Sequence, residues 1–554
     1  MKNAFQKLHP LVQKWIYKQG WPDLREIQKR AIEPILAGNK DVLISASTAA
    51  GKTEAFFLPA CSKVVDTQNG FSILYISPLK ALINDQYRRL ESLGEELKIS
   101  ITPWHGDSSQ SKKNNAKKKP NGILLITPES LESLLIRDAG WLKAAFSTVQ
   151  YIAIDEFHAF IGTERGQHLL SLLNRIDHLV GKYESPIPRI ALSATLGNIE
   201  SIPLILRPNK KLACEIVTAS KSSATMQLQV KGYINPSREN TDIHTSAESL
   251  VNQDIYKFCR GGSHLVFANS RQRTESIAAS LSELCRKNKV PNEFFPHHGS
   301  LSKELREELE QRLQKDNLPT TAICTMTLEL GIDIGKVNSV VQVTAPHSVA
   351  SLRQRMGRSG RRNEPAILRI LIQEQELNKD SHIIDMLRLE LIQSLAMVRL
   401  LVESKWFEPA DTNQFHFSTL VHQVLALIAQ WGGVRTDQLY TLLCKTGPFN
   451  KVEIKLFKSL LKSMGRYELI TQFRSGELTL GIRGEQIVNH YSFYAVFKTP
   501  EEYRIVFGLN TIGTLPVTSI ILKNQHIIFA GKKWKVQDVD SDKKIISVKK
   551  SNGG

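Results

Sequence analysis

The feature that most constrains the fold is a series of short apolar runs, "DVLIS", "FSILYISP", "NGILLITP", "VQYIAIDE" and "PRIALSAT", spread over residues 1–207 between helical patterns. A run that is apolar throughout reads as a strand buried on both faces, hence a parallel sheet covered by helices. Such sheets bind ligands at the carboxyl ends of their strands, and each of the five runs ends there in polar or small residues. A second series, "SHLVFANSR", "NEFFPHHGS", "TTAICTMT", "VNSVVQVTAP" and "ILRILIQ", repeats the pattern over residues 208–375. The expectation is an α/β chain with two parallel-sheet domains in tandem.

From residue 376 the pattern changes. "STLVHQVLALIAQWGG", "RTDQLYTLLCKTG" and "KVEIKLFKSLLKSMGRYELI" read as three helices, and "YELITQFRSGELTLGI" as a hairpin turned at Arg474, Ser475 and Gly476. Three helices and a hairpin outline a winged helix over 376–490. The remainder, 491–554, alternates short strands with turns, a small β-rich domain. No internal repeat or low-complexity segment stands out.

At 554 residues there is room for these domains, and 42% hydrophobic with 23% charged residues is an ordinary globular composition. No stretch approaches the ~18 uninterrupted apolar residues of a membrane span. The N-terminal segment "MKNAFQKLHPLVQKW" has no apolar core of a secretion signal; its Leu8, Leu11, Val12, Trp15 and Ile16 share a helical face instead. Six scattered cysteines without a C-x-x-C pair argue against a zinc knuckle, an iron–sulfur cluster or disulfides and fit a reducing, cytoplasmic setting. The net charge of +18 points to a polyanionic partner, nucleic acid first and an acidic membrane second. The basic burst "KKNNAKKKP" (Lys112 to Pro120) reads as a solvated loop or a strand contact.

"SASTAAGKTEAFFLP" follows the first run and matches a phosphate-binding loop, except that Ala46 stands where the usual pattern has glycine. Backbone N–H groups from Ala46, Ser47, Thr48, Ala49, Ala50 and Gly51 would curl around phosphates, and Gly51 supplies the freedom the turn needs. Lys52 reaches the β- and γ-phosphates, and the Thr53 hydroxyl can hold Mg²⁺. The bland alternative is a small-residue turn ending by chance in Gly-Lys-Thr.

"IAIDEFHAF" places Asp155, Glu156 and His158 directly after a buried strand. Adjacent carboxylates there are costly unless a cation binds. Asp155 would hold Mg²⁺ and Glu156 would orient and deprotonate water; an exposed acidic turn is the alternative. "QRMGRSGRR" runs from Gln354 to Arg362. It is either a basic patch or a source of arginine fingers, Arg358 and Arg361, that reach across a cleft to a γ-phosphate.

With these motifs in place the chain resembles the superfamily 2 DExH-box helicases from about residue 20 to 362. "DEFHAFIGTERGQHLLSLLNRI", "SASTAAGKTEAFFLP" and "TLELGIDIG" narrow the resemblance to the Lhr-like (large helicase-related) branch. That family's phosphate loop begins with Ala, so Ala46 is its ordinary form. The resemblance implies two RecA-like motor domains, a winged helix and a β-rich domain, ATP with Mg²⁺, and movement 3′ to 5′ on a nucleic-acid strand. It matches Gln28 in "LREIQ" to an adenine-reading glutamine and places Gly331 and Asp333 near the ribose and cleft. "SAT" (Ser193 to Thr195) corresponds to the element coupling hydrolysis to domain motion. Strand-contacting segments would be "SPLKALINDQ" with Ser77 and Lys80, "TPES" with Thr127, "VFANSR" with Asn269 and Arg271, "HHGS" with His298, and the stretch opening at Thr325.

DNA, RNA and hybrid remain open as the nucleic acid. So do two rivals, an ATP-switched binding scaffold and a duplex translocase that never separates strands. The winged helix reads as a wedge or as a duplex grip. His168 and His297–His298 have no carboxylate or cysteine at ligand spacing and read as packed or solvent-facing side chains. Trp431 reads as core or as a base-stacking aromatic.

Overall fold

The computed structural model describes the chain apart from residues 1–3, 47–49, 68, 195, 220–224, 237–245, 361–364, 380, 410, 498–500, 517–520 and 552–554. It divides into two compact units, Met1–Lys221 with Pro409–Thr499 and Ser222–Glu408 with Pro500–Gly554.

The first unit is built on a seven-stranded sheet: β1 (Asp41–Ser45), β2 (Gly70–Ile76), β3 (Ile101–Trp104), β4 (Asn121–Ile126), β5 (Tyr151–Ile154), β6 (Arg189–Ser193) and β7 (Cys214–Thr218). Its order is β3-β4-β2-β5-β6-β1-β7, and every pairing is parallel. The five anticipated runs are β1, β2, β4, β5 and β6. Successive side chains alternate between two cores, so Val42 and Ile44 meet one helical layer and Leu43 the other. The first layer holds α1 (Pro10–Lys18), α2 (Glu26–Ala37), α3 (Lys52–Val64) and α4 (Lys80–Leu97). The second core takes in α6 (Pro128–Arg137) and α7 (Glu164–Leu179). "KKNNAKKKP" lies largely within a helix, α5 (Gln110–Lys118), and not in a loop; Lys112 sits 4.3 Å over the Tyr87 ring and Lys117 pairs with Asp138.

The second unit carries a six-stranded sheet, β8 (Met226–Asn235), β9 (Ser263–Phe267), β10 (Phe294–His297), β11 (Thr320–Cys324), β12 (Ser339–Val343) and β13 (Ala366–Gln375), in the order β10-β11-β9-β12-β13-β8. Its helices include α8 (Arg271–Lys287) and α9 (Val349–Met356). Helix α10 (Leu389–Val402) contacts β8, β13 and α9, so the stretch after residue 376 stays with this unit up to Glu408.

The chain then rejoins the first unit as α11 (Phe417–Trp431), α12 (Thr436–Tyr440), α13 (Ile454–Arg466) and α14 (Ile482–Asn489), with a three-stranded sheet β14 (Val434–Arg435), β15 (Ile470–Gln472) and β16 (Glu477–Leu480) ordered β14-β16-β15. Leu420, Val424, Leu427, Phe457, Leu461 and Met464 form its core. Helix α11 lies on α6 and α7. A five-stranded sheet closes the second unit: β17 (Glu502–Phe507), β18 (Asn510–Pro516), β19 (His526–Phe529), β20 (Lys532–Asp540) and β21 (Ile545–Lys550). It rests on α8 and on the loop after β10 through Ser302 N to Ile512 O and Thr514 N to Ser300 O. No helix among the described residues is long and apolar enough to cross a membrane.

Candidate nucleotide and nucleic-acid sites

Strands β5, β6 and β1 are neighbours, so the loops leaving their carboxyl ends meet. Ala46 N donates to Ser193 O at 3.1 Å, tying the phosphate loop to the end of β6. Gly51 caps α3 in the left-handed region, φ 85° and ψ 34°, and a Cβ there would stand 2.7 Å from Gln28 Nε2. The amide of Gln28 thus lies against the loop, its Oε1 accepting from Arg25 N at 2.8 Å. Lys52 is buried, and its Nζ donates to Ala46 O at 2.9 Å. Ala50 is half-buried, and Thr53 Oγ1 lies 3.5 Å from Gln86 Nε2. Ser47, Thr48 and Ala49 lie outside the described residues. Gln86 is a neighbour that sequence reasoning did not single out, although it ends the quoted "SPLKALINDQ".

Asp155 and Glu156 are 6% and 5% exposed. Glu156 adopts φ 44°, ψ 48°, the left-handed region a non-glycine residue rarely takes, and its N–H donates to Asp155 Oδ1 at 3.0 Å. Burial, and then the Glu156 charge, push the Asp155 carboxyl above its usual range, with Lys52 pulling the other way. A cation held there would relieve that repulsion, and the Asp155 carboxylate and the Thr53 hydroxyl are oxygen donors of the kind that suits Mg²⁺. His158 Nδ1 lies 3.2 Å from Ser193 Oγ and 3.6 Å from Glu156 Oε2, so it links the acidic pair to the end of β6. Thr195 lies outside the described residues.

In the second unit Gln354 and Arg355 sit buried on α9. Arg355 Nε donates to Glu329 Oε2 at 2.9 Å, and Glu329 also accepts from Ser351 Oγ at 2.7 Å. Arg358 is 1% exposed; its guanidinium donates to Glu329 O at 2.7 Å and Ile332 O at 2.9 Å. Here it holds the loop carrying Gly331 and Asp333, whose Oδ1 in turn accepts from Gly335 N at 3.2 Å. These bonds tie the Arg358 guanidinium to the backbone of its own unit. Arg361 lies outside the described residues.

The anticipated nucleic-acid residues divide. Lys80 is exposed and pairs with Asp107 at 2.9 Å. Asn269 is exposed, its amide donating to Thr344 Oγ1 and Ala345 O, both at 2.8 Å. Arg271 reaches Ser300 Oγ and, at 3.3 Å, Glu502 of the five-stranded sheet. Thr325 is half-buried. Three further residues are turned inward. Ser77 is fully buried, Thr127 Oγ1 caps α6 by accepting from Ser130 N at 3.4 Å, and His298 is 1% exposed with Nε2 2.8 Å from Glu275 Oε1. Glu275 also accepts from Ala530 N and Gly531 N, so His298 belongs to the joint between α8 and the five-stranded sheet.

Carboxylates do accompany the histidines, but from distant positions. His297 Nε2 lies 3.1 Å from Glu310 Oε1. His168 Nε2 lies 2.8 Å from Glu132 Oε2, and with His422 these donors fall within 4.8 Å of one another. Arg175 Nη1 at 2.6 Å and Gln423 Nε2 at 2.6 Å already take the Glu132 oxygens. Burial would raise this carboxyl, yet Arg175 and then His168 hold it well below the usual range. The cluster is a polar lock joining α11 to α6 and α7. Trp431 is 43% exposed and stands outside the core.

The DEAD/DEAH box helicase family model matches residues 25–202, and the helicase conserved C-terminal domain model matches 249–363. The chain is 33% identical over 376 residues to "ATP-dependent helicase Lhr-Core" of Methanothermobacter thermautotrophicus, covering 64% of this chain and 42% of that one. It is 28% identical over 560 residues to the Lhr-Core helicase of Saccharolobus solfataricus, covering 95% and 58%. The chain thus spans about half the length of these relatives. The structure of Mycobacterium smegmatis helicase Lhr bound to ssDNA and AMP-PNP superposes with a TM-score of 0.74 at 28% identity, over 91% of this chain and 64% of that one. The DNA-bound helicase MrfA shares the fold at a TM-score of 0.76 and 22% identity, over 99% and 74%. The paired motor sheets, the acidic strand end and these relatives agree: the chain belongs to the superfamily 2 helicases, in the Lhr-like branch.

Proposed function

We propose that this chain is an ATP-dependent nucleic-acid motor that tracks 3′ to 5′ on single-stranded DNA and separates duplexes or hybrids. The observation that carries the reading is the convergence, at the ends of β1, β5 and β6, of Lys52, the Asp155–Glu156 pair and Ser193 bridged by His158. Lys52 is proposed to bind the β- and γ-phosphates, Asp155 and Thr53 to hold Mg²⁺, and Glu156 to take the proton of the attacking water. Mg²⁺, when bound, neutralises charge developing on the phosphates. Gln28 is proposed to meet the base, and Arg358 with Arg361 to serve turnover. Exposed Lys80, Asn269 and Arg271 remain the proposed strand contacts, joined by Thr325.

Through its contact with Ser193, His158 is proposed to pass nucleotide chemistry to the "SAT" segment, which the resemblance makes the element coupling hydrolysis to domain motion. The testing experiment measures ATP turnover with single-stranded DNA, RNA and duplex, beside unwinding of 3′- and 5′-tailed duplexes. Stimulation by a single strand with unwinding from the 3′ tail is expected. Unwinding from a 5′ tail alone overturns the polarity, and stimulation by blunt duplex without strand separation replaces the reading with a duplex translocase.

A further inference from the structure

Helix α13 is a third helix followed directly by a hairpin, and its outer face is cationic. Lys455, Lys458, Lys462 and Arg466 are all exposed, while Phe457, Leu461 and Met464 on the other face are buried. The helix contains no acidic residue. The four cations recur at steps of three and four, so they form one stripe about 16 Å long at ~1.5 Å rise per residue.

Several other basic faces of this protein are balanced by carboxylates. The helix Lys303–Lys315 interleaves glutamates, and Lys14 and Lys18 share Glu96. On α13 none of the four pairs with a carboxylate among the described residues, and Lys458–Lys462 and Lys462–Arg466 stand as like charges at i,i+4, an arrangement that disfavours the helix on its own. Next to it the chain exposes Tyr467 at 62% and, at the β15–β16 turn, Phe473 at 57% with Arg474. A helix with side chains is ~10–12 Å across and the major groove of B-form DNA is ~12 Å wide, so the stripe can face phosphates along the groove.

We propose that the α13 face, with the β15–β16 turn beside it, docks double-stranded nucleic acid at a place separate from the strand on which the motor acts. The proposal rests on the nucleic-acid motor reading for its choice of polyanion. It selects a grip on the duplex over a wedge, because the cations lie along the helix and a single arginine marks the turn.

The test uses the full chain carrying Lys455→Ala, Lys458→Ala, Lys462→Ala and Arg466→Ala, with Lys458→Glu alone as a second, milder variant. Binding of a short blunt duplex and of an oligothymidine strand is measured across a salt series, beside strand-stimulated ATP turnover. The quadruple variant is expected to lose about tenfold or more in duplex affinity at low salt, and its log K against log salt slope to fall by about 3–4, near one per phosphate contact removed. Strand affinity and strand-stimulated turnover should stay within about twofold, and Lys458→Glu should weaken the duplex in the same direction. Unchanged duplex affinity in both variants overturns the proposal. An equal loss on the single strand also overturns it, by assigning the face to the strand path. Loss of binding to anionic phospholipid vesicles with duplex binding intact assigns it to a membrane instead. Wild-type protein that hydrolyses no ATP with any nucleic acid fails the motor reading alone, leaving the duplex measurement to stand or fall by itself.

Discussion

At the scale of single residues, the phosphate site separates into parts with different jobs. Lys52 is proposed to supply the main cation at the β- and γ-phosphates, so Lys52→Ala should abolish ATP turnover; wild-type hydrolysis in that variant removes the site. Glu156→Gln keeps the shape and removes the base, so nucleotide binding should persist while turnover falls by about 10²–10⁴. The left-handed backbone of Glu156 motivates that proposed role. Gly51→Ala forces a Cβ into the left-handed region, at roughly 1–2 kcal/mol, and towards Gln28 Nε2. It should weaken nucleotide binding in an equilibrium titration more than it lowers the melting temperature. That Lys52 and the Asp155–Glu156 pair stand at strand ends was readable, because each follows a buried run within a short local motif. The inward turn of Ser77, Thr127 and His298 was not, because a neighbour such as Glu275 is set by tertiary packing alone. Arg358 illustrates both cases: the motif exposes the arginine to the eye, while its bonds to Glu329 O and Ile332 O appear only in the fold.

At the scale of elements, most buried strands announced themselves, the edge strand β10 among them, while the thinly covered edges β7 and β8 did not. "CEIVT" at β7 and "MQLQVKGYIN" at β8 each bury little and mix polar with apolar residues, as an edge strand can when only part of it is covered. Helix α5 escaped for the same reason, with Ala116 its one buried residue. The joint of α11 and the following Thr441–Lys445 turn with α6 and α7 is held by polar contacts: Ser171 Oγ to Gln423 Oε1 at 2.7 Å, Asn174 Nδ2 to Leu442 O at 2.7 Å and Arg175 Nη2 to Gln430 Oε1 at 2.8 Å. His422 stands in this joint. Burial pulls its pKa down to about 4, against the opposing pull of Glu132 and with a further push from His168. Folded His422 therefore stays neutral where the unfolded side chain, near 6.5, takes a proton. The joint is at full strength above about pH 6.5 and loses stability as pH falls towards 4, by roughly 1–3 kcal/mol at most. His264 shifts in the same direction in the other unit, so the informative quantity is a difference. Melting temperature against pH should be flatter for His422→Asn than for wild type, and parallel curves exclude the assignment.

At the scale of the whole molecule, the domains do not follow one another as the sequence suggests. The expected boundary at 207 falls before β7, which completes the first sheet. Residues 409–499 and 500–554 then return to different units, so the chain is interleaved. Length and pattern gave no sign of this, because helices and strands read the same whichever sheet they cover. The interleaving predicts different outcomes for two truncations. Ending the chain after Thr499 removes the five-stranded sheet, uncovering Leu301 and leaving Glu275 without Ala530 N and Gly531 N. The second unit should melt earlier, while nucleotide binding at Lys52 stays near wild type. Ending it after Glu408 also strips α11 from α6 and α7, leaving Glu132, Asn174 and Arg175 without Gln423, Leu442 O and Gln430. That cut should destabilise the first unit as well, and nucleotide affinity should fall with it. Calorimetry and nucleotide titration on the same two chains decide the matter. A chain ending at Glu408 that binds ATP and melts like the one ending at Thr499 would show that α11 merely rests on the motor and does not support it.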